Sequence, residues 1–214
     1  MKKTFLLSCL MLAAMPVMAA YTGHVYVDKN KNGVFDQSEK PLAGIKVSDG
    51  LNVVETAADG SFTLPGHERE RFIFITTPSG YKTFNRHYHK IEKKQSGYDF
   101  GLIPYSGRIR KDGSHRYIHI TDTEIFNTEN HEDWVNNVRD YARNEQAAFI
   151  IHTGDICYEK GLKAHIKLMN TENMDCPVFY CIGNHDLVKG KYGEELFESI
   201  YGPVYYSFDA GNVH

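Results

Sequence analysis

Three apolar runs in the second half of the chain each end abruptly in polar residues. They are RYIHIT at 116–121, AAFIIHTG at 147–154 and CPVFYCIG at 176–183. Such runs are typical of central parallel strands that are covered on both faces. Residues at helical spacing lie between them: Trp134, Val138, Tyr141 and Ala142, with Asn130 as the expected cap, and then Leu162, Ile166 and Met169. The alternation of strand and helix predicts an α/β domain with right-handed crossovers.

The polar residues at the three strand ends are groups with which proteins bind cations and transfer protons. Asp122 and Glu124 follow the first run, Asp155 follows the second, and Asn184 and His185 follow the third. In an open α/β sheet, ligands bind outside the carboxyl ends of the strands. Parallel strands bring these ends to the same edge, so we expect the side chains to converge there. Turn formation is the alternative for any one of these ends taken singly.

The region from 21 to 105 has a different pattern. Its short runs of strand length are HVYV, IKVSD, NVVETA, SFTLP, RFIFITTP and YDFGLIP, with turn residues between them. Several short strands at this spacing, without helical periodicity, predict a small β-sandwich. A polar, glycine-rich stretch at 106–114 follows. We therefore predict an all-β sandwich domain at 21–105 and an α/β domain at 115–214.

The first twenty residues are predicted to be a secretory signal peptide. They begin with Lys2 and Lys3, continue with an apolar run too short for a membrane span, and end in small residues at Ala19 and Ala20, where cleavage is expected. A buried helix and a lipoprotein-type cleavage before Cys9 are the alternatives. We therefore expect an exported chain, either periplasmic or secreted, with no membrane span after removal of the signal.

Composition argues against some classes of partner. Removing two lysines with the signal changes the formal charge from −3 to −5, and the chain has no basic block. A nucleic-acid surface and an anionic membrane are therefore not expected as partners. The remaining cysteines, Cys157, Cys176 and Cys181, lack metal-ligand spacing, and free thiols are favoured over a disulfide. The sequence leaves the oligomeric state open.

The strand-end motifs resemble those of the calcineurin-like metallophosphoesterase family. They are ITDTE at 120–124, HTGD at 152–155 and GNHD at 183–186. The first region likewise resembles the β-sandwich that precedes the catalytic domain in some exported members. The resemblance implies a partial metallophosphoesterase sheet with helical crossovers. It also implies two divalent metal ions (Mn, Fe, Zn or Mg) and a phosphate-ester substrate that is hydrolysed by an activated hydroxide.

The same resemblance implies a role for each residue. Asp122 would bind the first metal ion, Asp155 would bridge both ions, and Asn184 would bind the second. His185 would face the phosphate as charge stabiliser or general acid, with Asp186 available to orient it. Two ions about 3.5–4 Å apart share a carboxylate, polarise the phosphoryl group and lower the pKa of a bound water.

Two departures from the family pattern bear on activity. The family has histidine where Glu124 stands, and a carboxylate favours Mg²⁺, Mn²⁺ or Ca²⁺ over zinc. Glu124 either reaches the first metal ion or points to solvent. The family's later G-H-x-H stretch does not occur before His214. We therefore expect an incomplete catalytic domain, from a longer protein or a truncated product, with weak metal retention and little hydrolysis. A genuine short family member is the alternative.

A calcium-loop pattern lies in the first region. The stretch DKNKNGVFDQSE at 28–39 matches a twelve-residue pattern whose ligands would be Asp28, Asn30, Asn32, the Val34 carbonyl, Asp36 and Glu39. The flanks are predicted strands rather than helices, so the expected ion has a structural role. A polar hairpin connection is the alternative.

Three functions fit these observations. The leading one is an exported metal-dependent phosphoesterase. The second is a catalytically inactive exported binding module for a glycan or envelope partner, stiffened by calcium, and Glu124 favours it. The third is a structural protein without a substrate. Monoesters, diesters, nucleotides, lipids and envelope phosphates are all compatible with the sequence.

Overall fold

A computed structural model describes residues 20–105 and 108–214 of the chain. The predicted signal peptide lies outside the described residues except for Ala20, which begins the first strand. In chain order the strands and helices of the described residues are β1 (Ala20–Val27), β2 (Lys40–Pro41), β3 (Lys46–Ser48), β4 (Val53–Glu55), β5 (Ser61–Pro65), β6 (Phe72–Ile75), β7 (Tyr81–Thr83), β8 (Tyr88–Lys90), β9 (Phe100–Pro104), β10 (Arg116–Ile120), α1 (Glu132–Asn144), β11 (Ala147–His152), α2 (Glu159–Leu168), α3 (Thr171–Met174), β12 (Val178–Tyr180) and α4 (Glu195–Tyr201).

The first region folds as two sheets that share a core. One sheet has the order β2-β1-β9-β7, with β5 also paired to β1, and the other has the order β4-β3-β6-β8. Alternate residues of the strands point inward, as in Phe62 and Leu64 of β5, because side chains alternate between the faces of a strand. The shared core includes Val25, Phe100 and Leu102 from the first sheet and Val47, Ile73 and Ile75 from the second. The predicted β-sandwich is confirmed.

The second region contains a parallel sheet with the order β10-β11-β12. Helix α1 connects β10 to β11, and α2 and α3 connect β11 to β12. The helices cover one face through a core that includes Ile150, Leu162, Met169, Val178 and Phe197. The predicted alternation of strands and helices is confirmed, and it places the ends of all three strands at one edge.

Two local expectations for this region were wrong. Strand β10 is not covered on both faces, since Tyr117 and His119 are exposed and β10 lies at the edge of the described sheet. Helix α1 is capped by His131 rather than Asn130, and Tyr141 faces solvent. Apolar periodicity predicted the helix correctly, but it did not define which side the sheet would cover.

The segment after α4 joins the sandwich to the parallel sheet. Asp209 donates its N–H to the carbonyl of Thr77, at 2.9 Å, in the sandwich. The ring of Phe208 stacks on Phe179 of β12 with centroids 3.6 Å apart. Arg71 of the sandwich forms ion pairs of 2.8 Å with Glu194, which precedes α4, and with Glu198 within α4. These contacts hold the parallel sheet against the sandwich.

The cysteines and the helices confirm two simpler points. Cys157 and Cys176 are buried and Cys181 is exposed, and all three are free thiols, as the sequence predicted. Within the described residues, no helix has the length and apolar character needed to cross a membrane.

Candidate active site

Hydrogen bonds tie the three strand-end loops together. The N–H of Asp122 donates to the carbonyl of Gly154 at 3.2 Å, which joins the loops after β10 and β11. The N–H of His185 donates to Asp155 Oδ1 at 3.1 Å, which joins the loops after β11 and β12. His185 Nδ1 lies 2.7 Å from Glu124 Oε1, which joins the first loop to the third. The residues that follow three separate strands therefore meet at one edge of the sheet.

The backbone at three of these acidic residues is left-handed. The φ angle is 52° at Asp122, 42° at Glu124 and 50° at Asp155. Positive φ is uncommon for residues other than glycine, and it is least unfavourable for Asp and Asn. Such conformations persist where the surrounding structure enforces them, and they concentrate at functional sites. The repeated strain at this edge supports a functional assignment for these loops.

The loops after β11 and β12 cross in direct contact. A Cβ placed on Gly183 would lie 2.2 Å from the backbone nitrogen of Asp155 and 2.3 Å from its Oδ1. A Cβ placed on Gly154 would lie 2.6 Å from the backbone nitrogen of Gly183. Only glycine permits this approach without a shift, so the GD and GN pairs position Asp155 rather than merely forming turns.

The side chain of Asp186 links these two loops through hydrogen bonds to their backbone. Its side chain is fully buried, and its Oδ1 accepts the N–H groups of Ile156 and Cys157 at 2.9 and 3.0 Å. Its Oδ2 accepts the N–H of Gly183 at 2.8 Å. Burial raises the pKa of Asp186, and the three backbone donors oppose that rise. The family resemblance implied that Asp186 is available to orient His185, whereas here its carboxylate accepts hydrogen bonds from the backbone of the loops.

Glu124 is the residue that contacts the His185 imidazole. The hydrogen bond between them raises the pKa of His185, with the nearby Asp155 carboxylate acting in the same direction. The ring of Tyr158 also stacks on the imidazole, with ring centroids 5.3 Å apart and planes 19° apart. The sequence offered metal binding or solvent for Glu124, and it did not predict this pairing.

The oxygen donors at this edge suit a hard divalent cation. Asp122 and Asn184 are exposed, and Asp155 is half-buried. Carboxylate and amide oxygens favour Mg²⁺ or Mn²⁺. Among the described residues, no three carboxylate or imidazole groups at this edge lie mutually within 4.8 Å. The donor types therefore fit the implied ions.

His152 supports the site from within the sheet. It is fully buried, its Nε2 lies 3.0 Å from the hydroxyl of Thr123, and its Nδ1 accepts the N–H of Gly154 at 3.3 Å. Burial lowers the pKa of His152 to about 4, so the ring is neutral at pH 7. A neutral ring can accept at one nitrogen and donate at the other, and it thereby links two of the strand-end loops.

The predicted calcium loop closes on two buried carboxylates. Asp28 is 1% exposed and Glu39 is 6% exposed. Asp28 accepts the N–H groups of Asn32 and Gly33, and Glu39 accepts those of Lys29 and Asp36. The remaining predicted ligands, Asn30, Asn32, Val34 and Asp36, lie in the exposed or half-buried part of the loop. The loop is thus built around its first and last acidic residues.

A second group of potential metal ligands lies elsewhere in the sandwich. Asp49, His67 and Glu70 each offer an atom within 4.8 Å of the other two. Asp49 accepts backbone N–H groups from its own turn, and Glu70 accepts the hydroxyl of Tyr21 and the N–H of His67. The group is therefore both a polar network of the sandwich and a candidate metal site. The sequence carried no signal for it, because no metal-ligand spacing connects the three residues.

Comparison with known families finds two matches that lie end to end. A family model described as the N terminal of calcineurin-like phosphoesterase matches residues 29–104. A model described as calcineurin-like phosphoesterase matches residues 115–212. The first match lies on the sandwich, and the second contains every residue of the strand-end site. No curated protein matched the chain in the corresponding comparison.

Proposed function

Because the chain belongs to the calcineurin-like phosphoesterase family, we propose that it hydrolyses a phosphate ester at the edge where the loops after β10, β11 and β12 meet. The observation that carries this proposal is the hydrogen-bonded convergence of Asp122, Asp155 and His185 from three separate strands. A metal-dependent phosphoesterase is the general activity of the family domain. The residue roles below are the specific proposal.

We propose that Asp122 and Asp155 hold one divalent ion, and that Asp155 and Asn184 hold a second. When bound, two such ions activate a water and neutralise charge on the phosphoryl group. Asp155 suits the shared position because its carboxylate lies close to Gly183 and accepts a hydrogen bond from the N–H of His185. The oxygen-rich donor set favours Mg²⁺ or Mn²⁺ over zinc.

His185 acts in this proposal as the general acid. Glu124 holds a proton on Nδ1 and favours the imidazolium, so Nε2 can donate its proton to the departing oxygen. A bond forms between phosphorus and the water oxygen, and the bond between phosphorus and the alcohol oxygen breaks. The alcohol oxygen receives the proton from Nε2, and the proton lost by the attacking water returns to Nε2. Glu124 is therefore a positioning residue.

Metal-dependent turnover of a chromogenic phosphate monoester tests the proposal. The chain, stripped with a chelator, is supplied separately with Mn²⁺, Mg²⁺, Zn²⁺ and Ca²⁺. Because we expect weak metal retention, we expect turnover to be slow and to require added metal, and Asp155→Asn to reduce it by about 100-fold or more. Asp140→Asn, an exposed change on helix α1, is the matched control and leaves turnover intact. A chain that binds Mn²⁺ but hydrolyses no ester with any of the four ions would contradict the proposal and favour the inactive binding module.

We also propose that the loop Asp28–Glu39 binds one structural calcium ion. Beyond the two buried carboxylates, the fully buried hydroxyl of Tyr26 has no hydrogen-bond partner among the described residues. A Cβ placed on Gly101 would lie 3.3 Å from this hydroxyl and 3.0 Å from Asp28 Oδ2, so the two oxygens border the same space. Burial and the Asp28 carboxylate raise the pKa of Tyr26, so the hydroxyl keeps its proton. A ligand or water in this space would give this donor an acceptor.

Export of the chain is a further proposal, and it rests on the sequence of residues 1–20. N-terminal sequencing of the product secreted by a bacterial host is expected to begin at Ala20 or Tyr21. A product that retains Met1 would contradict it.

A further inference from the structure

Two exposed aromatic rings extend outward from the proposed general acid. The ring of Tyr158 stacks on His185, and the ring of Phe126 stacks on Tyr158 with centroids 6.5 Å apart and planes 24° apart. The planes of adjacent rings in this stack are therefore within 24° of parallel. We call Phe126 and Tyr158 the aromatic ledge.

The aromatic ledge contributes little to the core. Phe126 is 57% exposed and Tyr158 is 49% exposed. Neither ring belongs to a hydrophobic cluster of the described residues. Because hydrophobic stabilisation scales with the area removed from water, a phenylalanine left largely in solvent gains little from folding. Exposed apolar surface beside a polar site is typical of a ligand-binding surface.

The ledge is built on the same loops as the catalytic groups. Phe126 follows Glu124 by two residues in the loop after β10, and Tyr158 follows Asp155 by three in the loop after β11. The hydrogen bonds that join these loops at His185 therefore also fix where the rings lie. The surface is continuous with the site where the ester bond would break.

We propose that the substrate is a phosphate ester whose alcohol portion carries a flat aromatic ring that packs against the aromatic ledge. This inference rests on the proposed function, because it places the phosphate at His185. Parallel, solvent-facing aromatic faces bind planar rings better than they bind flexible polyols, since stacked rings gain dispersion and quadrupole interactions over a broad contact. Two sources share this chemistry, namely simple aryl esters and nucleotides, whose ring is attached through a sugar.

Steady-state kinetics on three esters test the inference. Phenyl phosphate and adenosine monophosphate carry rings, and glycerol phosphate does not. We expect Phe126→Ala to lower kcat/KM for a ring-bearing ester by about 3- to 10-fold, mostly through KM, and to leave glycerol phosphate unchanged. Loss confined to phenyl phosphate identifies aryl esters, and loss confined to adenosine monophosphate identifies nucleotides. Equal loss on all three esters, or no loss on either ring-bearing ester, overturns the inference.

Phe126 is the residue to change because it contacts Tyr158 rather than His185. The matched control is Tyr141→Ala on helix α1, since Tyr141 is 58% exposed and stands outside the site. This control leaves all three kcat/KM values unchanged. Equal thermal midpoints for the two variants establish that both are folded.

A binding measurement separates this inference from the proposed reaction. Phenylphosphonate and methylphosphonate, which are not hydrolysed, are titrated with the chain and Mg²⁺ and followed by proton NMR. We expect phenylphosphonate to bind several-fold more tightly, with its ring protons shifted upfield, and Phe126→Ala to abolish both effects. If these effects occur without hydrolysis of any ester, the proposed function fails and the ring-binding surface stands. Equal affinity of wild-type chain for the two phosphonates overturns the inference whether or not esters are hydrolysed.

Discussion

Replacing Gly183 with alanine tests the close crossing of the two loops that position Asp155. The backbone of Gly183 has φ −106° and ψ 177°, which alanine adopts without strain, so the effect is purely steric. The new Cβ would lie 2.2 Å from the Asp155 nitrogen, whereas ordinary contacts begin at 3.4 Å, so the loops must part by about 1.2 Å. That displacement is large compared with the tolerance of a hydrogen bond.

The magnitude follows from the contacts that the displacement disturbs. Overpacking of a rigid site costs about 1–3 kcal/mol. Parting the loops also strains the bond of 2.8 Å from the Gly183 N–H to Asp186 and that of 3.1 Å from the His185 N–H to Asp155. Each such bond is worth about 1.5–3 kcal/mol because the acceptor is a carboxylate. We therefore expect Gly183→Ala to lower the free energy of unfolding by about 3 kcal/mol.

Urea unfolding measures this loss, and Gly97→Ala is its matched control. No atom lies within 4 Å of a Cβ placed on Gly97. Both substitutions reduce the entropy of the unfolded chain equally, a gain of about 0.4–1 kcal/mol, so the difference between the variants isolates the clash. Gly183→Ala should also weaken Mn²⁺ binding, and Gly97→Ala should not. Unfolding free energies of the two variants that agree within about 0.5 kcal/mol would refute the reasoning.

Three further predictions address other parts of the molecule. Asp186→Asn should destabilise the chain by about 2–4 kcal/mol in urea unfolding, because an amide replaces an oxygen that accepts a backbone N–H. Asp140→Asn should be nearly neutral, and equal effects would contradict the prediction. Calcium at about ten times its Kd should raise the Tm by about 2–5 °C, by binding only the folded loop. Glu39→Gln should remove the shift, and an unmoved wild-type Tm would exclude the site. Burial lowers the pKa of His165 to about 3. As the pH falls from 6.5 toward 3, His165 is therefore protonated in the unfolded chain but not in the folded chain, and this difference lowers the stability of the folded chain. Wild type should therefore lose about 2 kcal/mol more than His165→Leu between pH 7 and pH 5, and parallel pH profiles would contradict this.

The packing around His165 explains why its ring is the appropriate probe of pH dependence. His165 is fully buried, its Nδ1 lies 3.1 Å from the hydroxyl of Tyr201, and its ring contacts that of His152 at 5.0 Å. Burial lowers the pKa of His152 to about 4 as well, so both rings are neutral at pH 7. Because His152 remains in His165→Leu, the difference between the two profiles reports mainly His165.

The periodicity of apolar residues and the positions of turn residues predicted most of the fold. The alternation in SFTLP matches the buried and exposed positions of β5, and the apolar run in AAFIIHTG matches the central strand β11. These patterns are local, because the spacing of apolar residues within a short segment shows which face of a strand or helix is buried. The edge of the sheet was predictable for the same reason, since parallel strands must end together and Asp122, Asp155 and Asn184 each follow one of them.

The partners of the polar side chains were decided only by the tertiary structure. Glu124 meets His185 across 61 positions of the chain, and Asp186 meets Ile156 across 30. The exposure of β10 and the stacking of Phe126 on Tyr158 likewise depend on which segments cross. A hydrophobic pattern encodes burial along one element, but a hydrogen bond or a stacked pair needs two atoms at a set distance. That distance is defined only once the loops have packed, so the sequence determined which residues reach the edge and the folded chain determined which of them touch.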